Sequence, residues 1–243
     1  MKPLRWRKLT FRQATEADVP ALLALARDHL WGAEVYTAVK LSGAQPEIGS
    51  LWTGSDAKNR LRLAVYDNGA YITYLTRRGC IAARPPETGQ EPGMFARPGR
   101  RDRLCRMVYR GGAVPFPSDA RPLRGPALLA MYETVKEPGV RSEHTEKRYV
   151  FRARSVNAGL AETFGICEDG RLAATASVAA QNETAALIGD VYTVYQYRYQ
   201  GYASRLTKAC VAHARQRNLT PTLYCEKPLR KFYRKLGFVE ASR

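Results

Sequence analysis

From residue 163 onward, stretches rich in β-branched, aromatic and small apolar residues alternate with tight turns. Turn signals at Glu168-Asp169-Gly170 and Asn182-Glu183 predict three antiparallel strands joined by hairpins. The pattern then changes to helical spacing, a short strand, a second helix and a final stub. The predicted elements are strands 163–167, 171–181, 184–194 and 222–225, helices 201–217 and 229–235, and the stub 238–240. This order indicates a mixed α/β unit.

The first half of the chain carries its own helix and strand signals. Residues 10–20 predict a short strand leading into a helix that runs to about Leu30, with Thr15 as its N-cap. Residues 61–74 have a β-like pattern on either side of Asp67-Asn68-Gly69, and the Asn-Gly step predicts a hairpin. The first half therefore predicts a small α/β arrangement as well.

Two stretches rich in proline and glycine interrupt these patterns. Residues 83–103 combine prolines, glycines and arginines, which predicts an exposed loop. Residues 111–118 form a second break before a helical segment at 126–136. We place the domain boundary at this break and predict a divergent N-terminal α/β domain over 1–117 and a second domain over 118–243.

The chain carries a formal net charge of +17, and the excess of basic residues is spread over both halves. A diffuse basic surface attracts phosphates, so nucleic acid, a polyanionic cofactor or an acidic substrate would each account for it. General Arg-rich residue usage is the plain alternative. No run of about eighteen apolar residues occurs, which excludes a membrane-spanning helix. The basic N-terminus leads into no apolar segment of the kind that a secretory signal requires.

Five cysteines stand singly in the sequence, and none belongs to a CxxC pair. Only three histidines could join them as metal ligands. A structural zinc site needs clustered ligands, and a disulfide framework uses an even number of cysteines. We therefore predict free thiols, no metal, no membrane partner and a cytoplasmic location.

The junction between strand 184–194 and the next helix carries the chemistry. It contains Arg198-x-x-Gly201-x-Ala203, directly before the helical pattern. A helix N-terminus presents unpaired backbone amides and the positive end of the helix dipole. Small residues at Gly201 and Ala203 would let a pyrophosphate approach those amides, and Arg198 adds a positive charge. Taken alone, the same pattern also fits a tight loop with a helix cap.

A second motif follows on the last predicted helix, Phe232-Tyr233-Arg234-Lys235-Leu236-Gly237-Phe238. In this order and spacing the two motifs resemble those of the GCN5-related N-acetyltransferases (GNAT). The resemblance covers roughly residues 163–239. It implies a mixed, mostly antiparallel sheet flanked by helices, acetyl-CoA as co-substrate, and direct acetyl transfer to a primary amine in a ternary complex. The acceptor would be a small molecule or a peptide.

The wider pattern resembles a two-domain bacterial branch of this superfamily, in which a divergent N-terminal domain precedes the catalytic one. The segment from Phe11 to Leu25 itself resembles the start of an acetyltransferase domain. The first half is thus expected to be a degenerate copy that lacks the pyrophosphate loop.

The resemblance also implies roles for individual residues. Main-chain groups at the end of the strand would pair with the pantetheine amides, as an added strand pairs with an open edge. The backbone amides of the loop would hold the pyrophosphate, with the Ser204 hydroxyl nearby. Tyr233 would stand near the thioester sulfur as general acid, because a phenol of pKa about 10 can protonate a thiolate of pKa about 8.5. The strand residues are Val191, Tyr192, Thr193 and Val194, and the loop residues are Arg198, Tyr199, Gln200, Gly201, Tyr202 and Ala203.

The sequence departs from the family pattern just before the last helix. The family often has an Asn there that binds the cofactor, whereas this chain has Cys225-Glu226-Lys227-Pro228. Lys227 is a candidate to contact phosphate instead. The spacing from Pro228 to Tyr233 is also one residue shorter than expected, which bears on the reach of Tyr233. Core packing beside Phe232 is the alternative role for Tyr233.

A base is needed to take the proton of the attacking amine. Asp190 and Glu183 are the nearest carboxylates in sequence, and either could equally be structural. We take Asp190 as the candidate. Because the amine is expected to attack the thioester directly, Cys167 and Cys225 are not proposed as nucleophiles.

Two other functions stay open at this point. A chain that kept the cofactor site and lost turnover would be an acyl-CoA sensor or scaffold. Tyrosines among arginines could stack bases, although the period of two before the loop, at Tyr195, Tyr197 and Tyr199, also fits one face of a strand. The tyrosines are Tyr192, Tyr195, Tyr197, Tyr199 and Tyr202. No motif identifies the acceptor, which we expect in a cleft built by residues 119–160 and the N-terminal domain.

Overall fold

The first part of the chain builds an antiparallel sheet with two helices between its first two strands. The computed structural model describes residues 8–68, 72–83, 103–134 and 145–241. Strands follow one another across this sheet in chain order, and every neighbouring pair is antiparallel. The elements are β1 (Thr10–Gln13), α1 (Val19–Ala26), α2 (Ala33–Ser42), β2 (Ser50–Ser55), β3 (Leu61–Asp67), β4 (Ile72–Thr76) and β5 (Gly79–Ala83).

The predicted strand and helix at the start of the chain are confirmed. Thr15 precedes the first helical turn, where the Asp18 carboxylate accepts bonds from the Thr15 amide at 2.8 Å and from its hydroxyl at 2.9 Å. The helix ends at Ala26 and does not reach Leu30, because the following turns fold Trp31 into the core.

Other predictions fall partly outside the described residues. β3 and β4 form the predicted hairpin, with Asp67 paired to Ile72, while Gly69 itself lies outside the described residues. Of the predicted loop 83–103, residues 84–102 lie outside them too. The predicted helix 126–136 is confirmed as far as Thr134.

The second sheet has seven strands among the described residues, in the order β12-β6-β11-β10-β9-β8-β7. Only β10 and β11 pair in parallel, so the sheet is mixed and mostly antiparallel, as predicted. Helices flank it, and all the strands and helices predicted from residue 163 onward are present. The elements are β6 (Cys105–Tyr109), β7 (Arg121–Pro122), α3 (Gly125–Thr134), α4 (Thr145–Asn157), β8 (Glu162–Glu168), β9 (Arg171–Gln181), β10 (Ala185–Thr193), α5 (Tyr202–Gln216), β11 (Thr220–Cys225), α6 (Arg230–Lys235) and β12 (Phe238–Glu240).

One strand of the second sheet comes from early in the chain. β6 lies between β11 and β12 and is antiparallel to both, with Val108 opposite Thr222 on one side and Val239 on the other. A boundary between residues 117 and 118 leaves this strand outside the sheet to which it is hydrogen bonded. The division of the chain into two domains stays a prediction, and the second sheet starts at Cys105.

The second sheet is covered on both faces. α5 packs on one face, where Leu206 and Cys210 meet Phe164 and Ile188 in the largest hydrophobic cluster of the described residues. We call the part of the chain that forms the first sheet and its two helices, within residues 8–83, the first unit, and the part that forms the second sheet the second unit. α2, from the first unit, packs on the other face and contacts β9 and β10. α4 lies beside it and contacts both α2 and β8. The second sheet is therefore sandwiched between its own helix α5 and a helix of the first unit.

The described residues also bear on cysteine chemistry and membranes. All five cysteines are free thiols, and four of them are buried. No helix in the described ranges is both long enough and apolar enough to cross a membrane. In the same ranges, no three or more His, Cys, Asp or Glu side chains gather in a way that could hold a metal ion.

Candidate functional site

Strands β10 and β11 run together only at the start and then separate. The parallel pairing joins Ala185–Ile188 to residues 220–223 and stops there. β10 continues to Thr193, where it remains paired to β9 on its other side. Beyond Ile188, the edge of β10 that faces β11 therefore carries backbone groups that no strand covers. An extended ligand with amide groups could pair with such an edge.

A bulge bends β10 where the strands separate. The register with β9 shifts between Gly189 and Tyr192, and Asp190 has a φ of +49°. Thr175 fixes the bulge because its hydroxyl donates to the Asp190 carbonyl at 3.1 Å. Bulges re-aim side chains and occur often beside active sites. Here the bulge turns Asp190 out of the regular alternation of the strand.

The predicted pantetheine-binding residues do not offer equivalent groups. The Val194 amide already donates to the Ala173 carbonyl at 2.9 Å, so it points toward β9. Successive amides along a strand point to opposite edges, so the Thr193 amide points to the open side. Val191 packs against the same hydrophobic cluster that contains Tyr233. The structure thus places the end of β10 and the last helix next to one core.

The N-terminus of α5 presents free backbone amides at the end of this open edge. The Arg205 amide is the first to donate along the helix, to the Gly201 carbonyl at 3.1 Å. The amides of Tyr202, Ala203 and Ser204 precede it and have no acceptor within the helix. No acidic residue occupies the first turn. This end of α5 is therefore electropositive and suited to an anion.

Gly201 makes the approach to these amides possible. Its φ of +82° lies in the left-handed region, which a residue with a side chain adopts at a cost. A Cβ built at Gly201 would meet no atom within 4 Å, so the space in front of it is open. The glycine gives the sharp turn from the loop into α5 and leaves room for a ligand against the backbone.

The loop before α5 combines exposed side chains with one buried anchor. The Arg198 guanidinium lies over the Tyr195 ring at 5.4 Å and donates through Nε to the Thr193 carbonyl at 3.2 Å. Tyr199 is fully exposed. By contrast, the Tyr202 side chain is buried, and its hydroxyl donates to Glu168 at 2.6 Å. Tyr202 therefore anchors the helix through its side chain and could serve a ligand only through its amide.

The five tyrosines of this region do not share one face. β10 ends at Thr193 and a 3-10 turn, Tyr195–Tyr197, follows, which breaks the spacing of two. Tyr195 and Tyr199 are exposed, whereas Tyr202 belongs to the core. The expectation of a single strand face through this series is therefore wrong, because the chain leaves the sheet before Tyr195.

Tyr233 is buried on α6 between two phenylalanines. Its ring makes edge-on contacts with Phe232 at 4.9 Å and Phe238 at 5.9 Å between ring centres. Burial raises the pKa of Tyr233 to about 12, with smaller contributions from Cys225 and Cys210. The core-packing role considered from the sequence is thus present, and the phenol is protonated throughout the neutral range. Lys227, the other candidate near this helix, is exposed in the 3-10 turn Lys227–Leu229.

The buried thiols next to Tyr233 are poor nucleophiles. Cys225 lies directly opposite Cys105 on the neighbouring strand. Burial raises the pKa of Cys225 to about 12, and the thiolate is the reactive form of cysteine. This environment supports the expectation that Cys225 does not attack the thioester.

The two candidate carboxylates lie in different places. Glu183 sits in the turn between β9 and β10 and pairs with Arg27 at 3.5 Å, with both side chains more than half exposed. Asp190 is at the bulge, where its Oδ2 accepts a bond from Arg152 Nη2 at 2.7 Å. Only Asp190 combines a position at the strand separation with a cavity beside it. Glu183 is a structural residue of the turn.

The cavity beside Asp190 has a volume of ≈ 170 Å³ and lies between the two units. The first unit contributes residues of α2 and β3, and the second contributes α3, α4, β9 and β10. Arg148 and Arg152 of α4 line it together, one helical turn apart, although no sequence motif marks this region. The lining residues are Glu34, Thr37, Ile48, Tyr66, Asn68, Tyr132, Arg148, Phe151, Arg152, Ala179, Ala180, Leu187, Gly189 and Asp190.

Comparisons with known proteins agree with this architecture. The profile of the Acetyltransferase (GNAT) family matches residues 128–238. No curated protein sequence matches the chain significantly. A tandem GNAT protein from the clavulanic acid biosynthesis pathway is similar over 96% of this chain and 95% of its own, with a TM-score of 0.57 and 14% identity. A Drosophila protein is similar over 95% of both chains, with a TM-score of 0.55 and 14% identity.

A further solved structure is similar to part of the chain. It is described as an acetyltransferase from the GNAT family of Novosphingobium aromaticivorans, and it has 24% identity and a TM-score of 0.46. The similarity covers 57% of this chain and 59% of that one, so this chain spans less than two thirds of that protein. The two structures that match along almost the whole length show that the fold of both units is shared.

Proposed function

Because residues 128–238 match the model of the Acetyltransferase (GNAT) family, we propose that this protein transfers an acetyl group from acetyl-CoA to a primary amine. The open edge of β10, which leads to the free amides at the start of α5, is the observation that carries the proposal. An extended pantetheine chain fits the edge, and a pyrophosphate fits the helix end. The amine attacks directly, with both substrates bound.

Most of the predicted residues take a role in this proposal. Val191 and Thr193 face the open edge and pair with the pantetheine through backbone groups. The backbone of Tyr192 faces β9, and the Val194 amide and carbonyl are already bonded to Ala173 and Tyr197, so neither residue pairs with the ligand through its backbone. The loop from Arg198 to Ala203 holds the pyrophosphate, with the Ser204 hydroxyl and Lys227 at its margin. The side chain of Tyr202 stays bound to Glu168, so only its amide takes part.

Tyr233 acts on the departing sulfur. A phenol of pKa about 12 that protonates a thiolate of pKa about 8.5 moves the proton uphill by about 3.5 pKa units, roughly 5 kcal/mol. A hydrogen bond that stabilises the charge on sulfur has no such cost. We therefore propose that Tyr233 donates a hydrogen bond while the carbon–sulfur bond breaks, and that full protonation follows from solvent.

Asp190 is the proposed proton acceptor on the amine side. Its Oδ2 is bonded to Arg152, so Oδ1 is the atom proposed to face the amine. The protonated amine loses one proton before it attacks the acetyl carbon, and the carboxylate or a water bonded to it takes that proton. The nitrogen loses its second proton to solvent as the amide forms. The acetyl group leaves sulfur for nitrogen, and the products are an amide and free CoA.

Thermal stabilisation by acetyl-CoA, followed by mass detection of acetylated amines, tests the proposal. A ligand at about 100 times its Kd adds about 2.7 kcal/mol of stability, which for a chain of this size raises the melting temperature by roughly 5–10 °C. We expect both this shift and acetylated product from at least part of a broad amine panel. Mass detection is preferable to thiol reagents, because Cys167 is exposed.

The alternatives give different results in the same experiment. Stabilisation without any product across the panel would identify the protein as an acyl-CoA sensor. The lack of the family's Asn before α6 is the observation that favours this alternative. If acetyl-CoA neither stabilised the protein nor gave any acetylated product, the proposal would be refuted. In that case, a salt-dependent interaction with DNA or RNA that acetyl-CoA leaves unchanged would indicate a nucleic-acid binder.

A further inference from the structure

The cavity between the two units is small enough to restrict what enters it. Its volume of ≈ 170 Å³ is close to that of an engineered cavity of about 150 Å³ that holds one benzene molecule. Part of an acceptor with about six to eight non-hydrogen atoms would fill it. It borders Gly189 and Asp190 at the bulge, which is where β10 separates from β11. A molecule in the cavity would therefore lie beside the proposed acetyl site.

The two arginines that line the cavity differ, because a carboxylate neutralises only one of them. Arg152 is buried, and Asp190 neutralises it through the 2.7 Å bond. Arg152 also donates to the Ala179 carbonyl at 2.6 Å, which fixes its position. Arg148, one turn earlier on α4, makes no ion pair with any residue that the structure describes. Among the lining residues that the structure describes, its charge is therefore the one cationic charge that a ligand can meet without displacing a protein carboxylate.

The surroundings of Arg148 favour an anion. Tyr66 and Tyr132 line the same cavity, and the positive charge of Arg148 acts on both phenols. Burial raises the pKa of Tyr66 and of Tyr132, so both hydroxyls stay protonated. The Tyr66 hydroxyl donates to the Ile48 carbonyl at 3.2 Å, so the groups that can donate to an anion here are the Tyr132 hydroxyl and the Arg148 guanidinium.

Two carboxylates, Glu34 and Asp190, also line the cavity. Glu34 of α2 accepts a bond from the Thr73 hydroxyl at 2.9 Å and another from the Asn68 side chain. Asp190 is the second carboxylate. A molecule with one positive and one negative group can pair with both the carboxylates and Arg148, whereas a simple cation would bring its positive charge against Arg148. An acceptor without an anionic group would leave the charge of Arg148 unpaired.

We propose that the acceptor carries an anionic group, a carboxylate or a phosphate, a few bonds from its amine. Arg148 binds the anion, and the amine faces Asp190 at the bulge. This inference rests on the proposed acetyltransferase function and specifies its acceptor class. Amino acids and aminoalkyl phosphates are the simplest members of that class.

Matched acceptors test the proposal on the full-length protein. Each set contains an amino acid, its uncharged amide and the aminoalkyl phosphate of the same length. We expect kcat/KM for the anionic members to exceed that for the amide by about 10- to 100-fold, the range of a charge-assisted hydrogen bond. The ratio between carboxylate and phosphate then identifies the anion.

Substitution of Arg148 should remove this preference. In Arg148→Gln, we expect the anionic and uncharged acceptors to react at similar rates, while stabilisation by acetyl-CoA is kept. In Arg148→Glu, the uncharged or dicationic amine should become the better acceptor. Lys147→Gln is the matched control, because Lys147 is the exposed neighbour on the same helix and its loss changes the net charge by the same amount.

A binding readout keeps the two proposals separable. An anionic amine should raise the melting temperature of the wild-type protein in the presence of CoA, and should not do so for Arg148→Gln. Equal rates for charged and uncharged acceptors in the wild type, or a preference that Arg148→Gln retains, would refute the anionic acceptor and leave the acetyltransferase intact. If acetyl-CoA did not raise the melting temperature of the wild-type protein, the proposed acetyltransferase function would be refuted instead.

Discussion

Tyr233 shows how one residue meets both a packing and a chemical requirement. Its ring fills the core between Phe232 and Phe238, and its phenol belongs to the cluster that reaches the end of β10. The burial that packs the ring also raises its pKa to about 12, which suits a hydrogen-bond donor better than a proton donor. Packing alone would be satisfied equally well by phenylalanine, and this difference can be measured.

Tyr233→Phe should lower turnover and leave acetyl-CoA binding unchanged. We expect kcat to fall by about 10²-fold, the lower end of the range for loss of one hydrogen-bond donor to a developing negative charge, because only the hydroxyl on the departing sulfur is lost. Since the folded pKa is raised, the phenol loses its proton only as the pH rises toward 12. The wild-type rate should therefore show no alkaline decline from this group below about pH 10.

Tyr109→Phe is the matched control for this prediction. Tyr109 is buried in the same cluster, and its hydroxyl donates to the Gly112 carbonyl at 2.9 Å. Its removal should cost about 1 kcal/mol of stability and little turnover. If Tyr233→Phe turned over at the wild-type rate, Tyr233 would have a packing role only.

Residues with local signals could be predicted, and residues that depend on distant partners could not. Gly201 and Tyr233 stand in short motifs whose order along the chain carries the information. Arg148 and Arg152 lie in a helix with no motif, and their meaning depends on Asp190 and on the first unit. In the sequence, only the spacing of four residues between Arg148 and Arg152 indicates that they share one face of a helix, and this spacing does not indicate a cavity.

At the level of elements, strand and helix positions from residue 163 onward follow from turns and periodicity. The position of β6 does not, because the neighbours of a strand in a sheet are set by pairings between distant segments. The separation of β10 from β11 belongs to the same category, since it depends on where a parallel pairing ends. The start of α5 combines both kinds of information, since its glycine could be read locally and the open edge behind it could not.

Gly201→Leu should abolish stabilisation by acetyl-CoA. The side chain would occupy the open space before the α5 amides, where a pyrophosphate is proposed to lie. It would also strain the backbone at φ +82°, at a cost of about 1–2 kcal/mol. The measurement is the melting temperature with and without acetyl-CoA.

Gly159→Leu is the control that separates the effect of backbone strain from the effect of blocking the proposed pyrophosphate site. Gly159 has a φ of +69°, and a Cβ there would meet only Arg217 at 3.9 Å, near the opposite end of α5. A comparable loss of intrinsic stability is expected, with the acetyl-CoA shift retained. A retained shift in Gly201→Leu would rule out pyrophosphate binding at this helix end.

At the scale of the whole molecule, buried polar contacts join the two units. Asn182, in the turn between β9 and β10, donates to the carbonyls of Ala26 at 2.7 Å and His29 at 2.8 Å. Its own side-chain oxygen accepts from the Ala185 amide at 2.8 Å. The ring of Trp31 stacks on Tyr224 at 5.5 Å nearby. These contacts position α2 over the second sheet and so shape the cavity.

Asn182→Ala should destabilise the protein and impair acceptor use. Two buried carbonyls would lose their donors, so we expect the free energy of unfolding to fall by about 2–4 kcal/mol. Because the cavity lies between the units, KM for the acceptor should rise while stabilisation by acetyl-CoA is kept. Denaturant titration and acceptor kinetics measure the two effects.

The exposed Asn157 at the end of α4 provides the comparison, since Asn157→Ala should change stability by less than about 0.5 kcal/mol. Unchanged unfolding of Asn182→Ala would mean that these bonds contribute nothing to the joint between the units. Unchanged acceptor KM would mean that their relative placement does not shape the acceptor site.

The position of β6 has a consequence for how the chain is made. During translation, Cys105–Tyr109 emerges from the ribosome well before either flanking strand, Thr220–Cys225 or Phe238–Glu240, has been synthesised. Through most of translation, this apolar segment has neither of its sheet partners, and an unpaired strand is prone to aggregate. The second sheet thus cannot be completed before residues 238–240 have been synthesised, and a polypeptide that stopped short of them would leave one edge of this strand exposed.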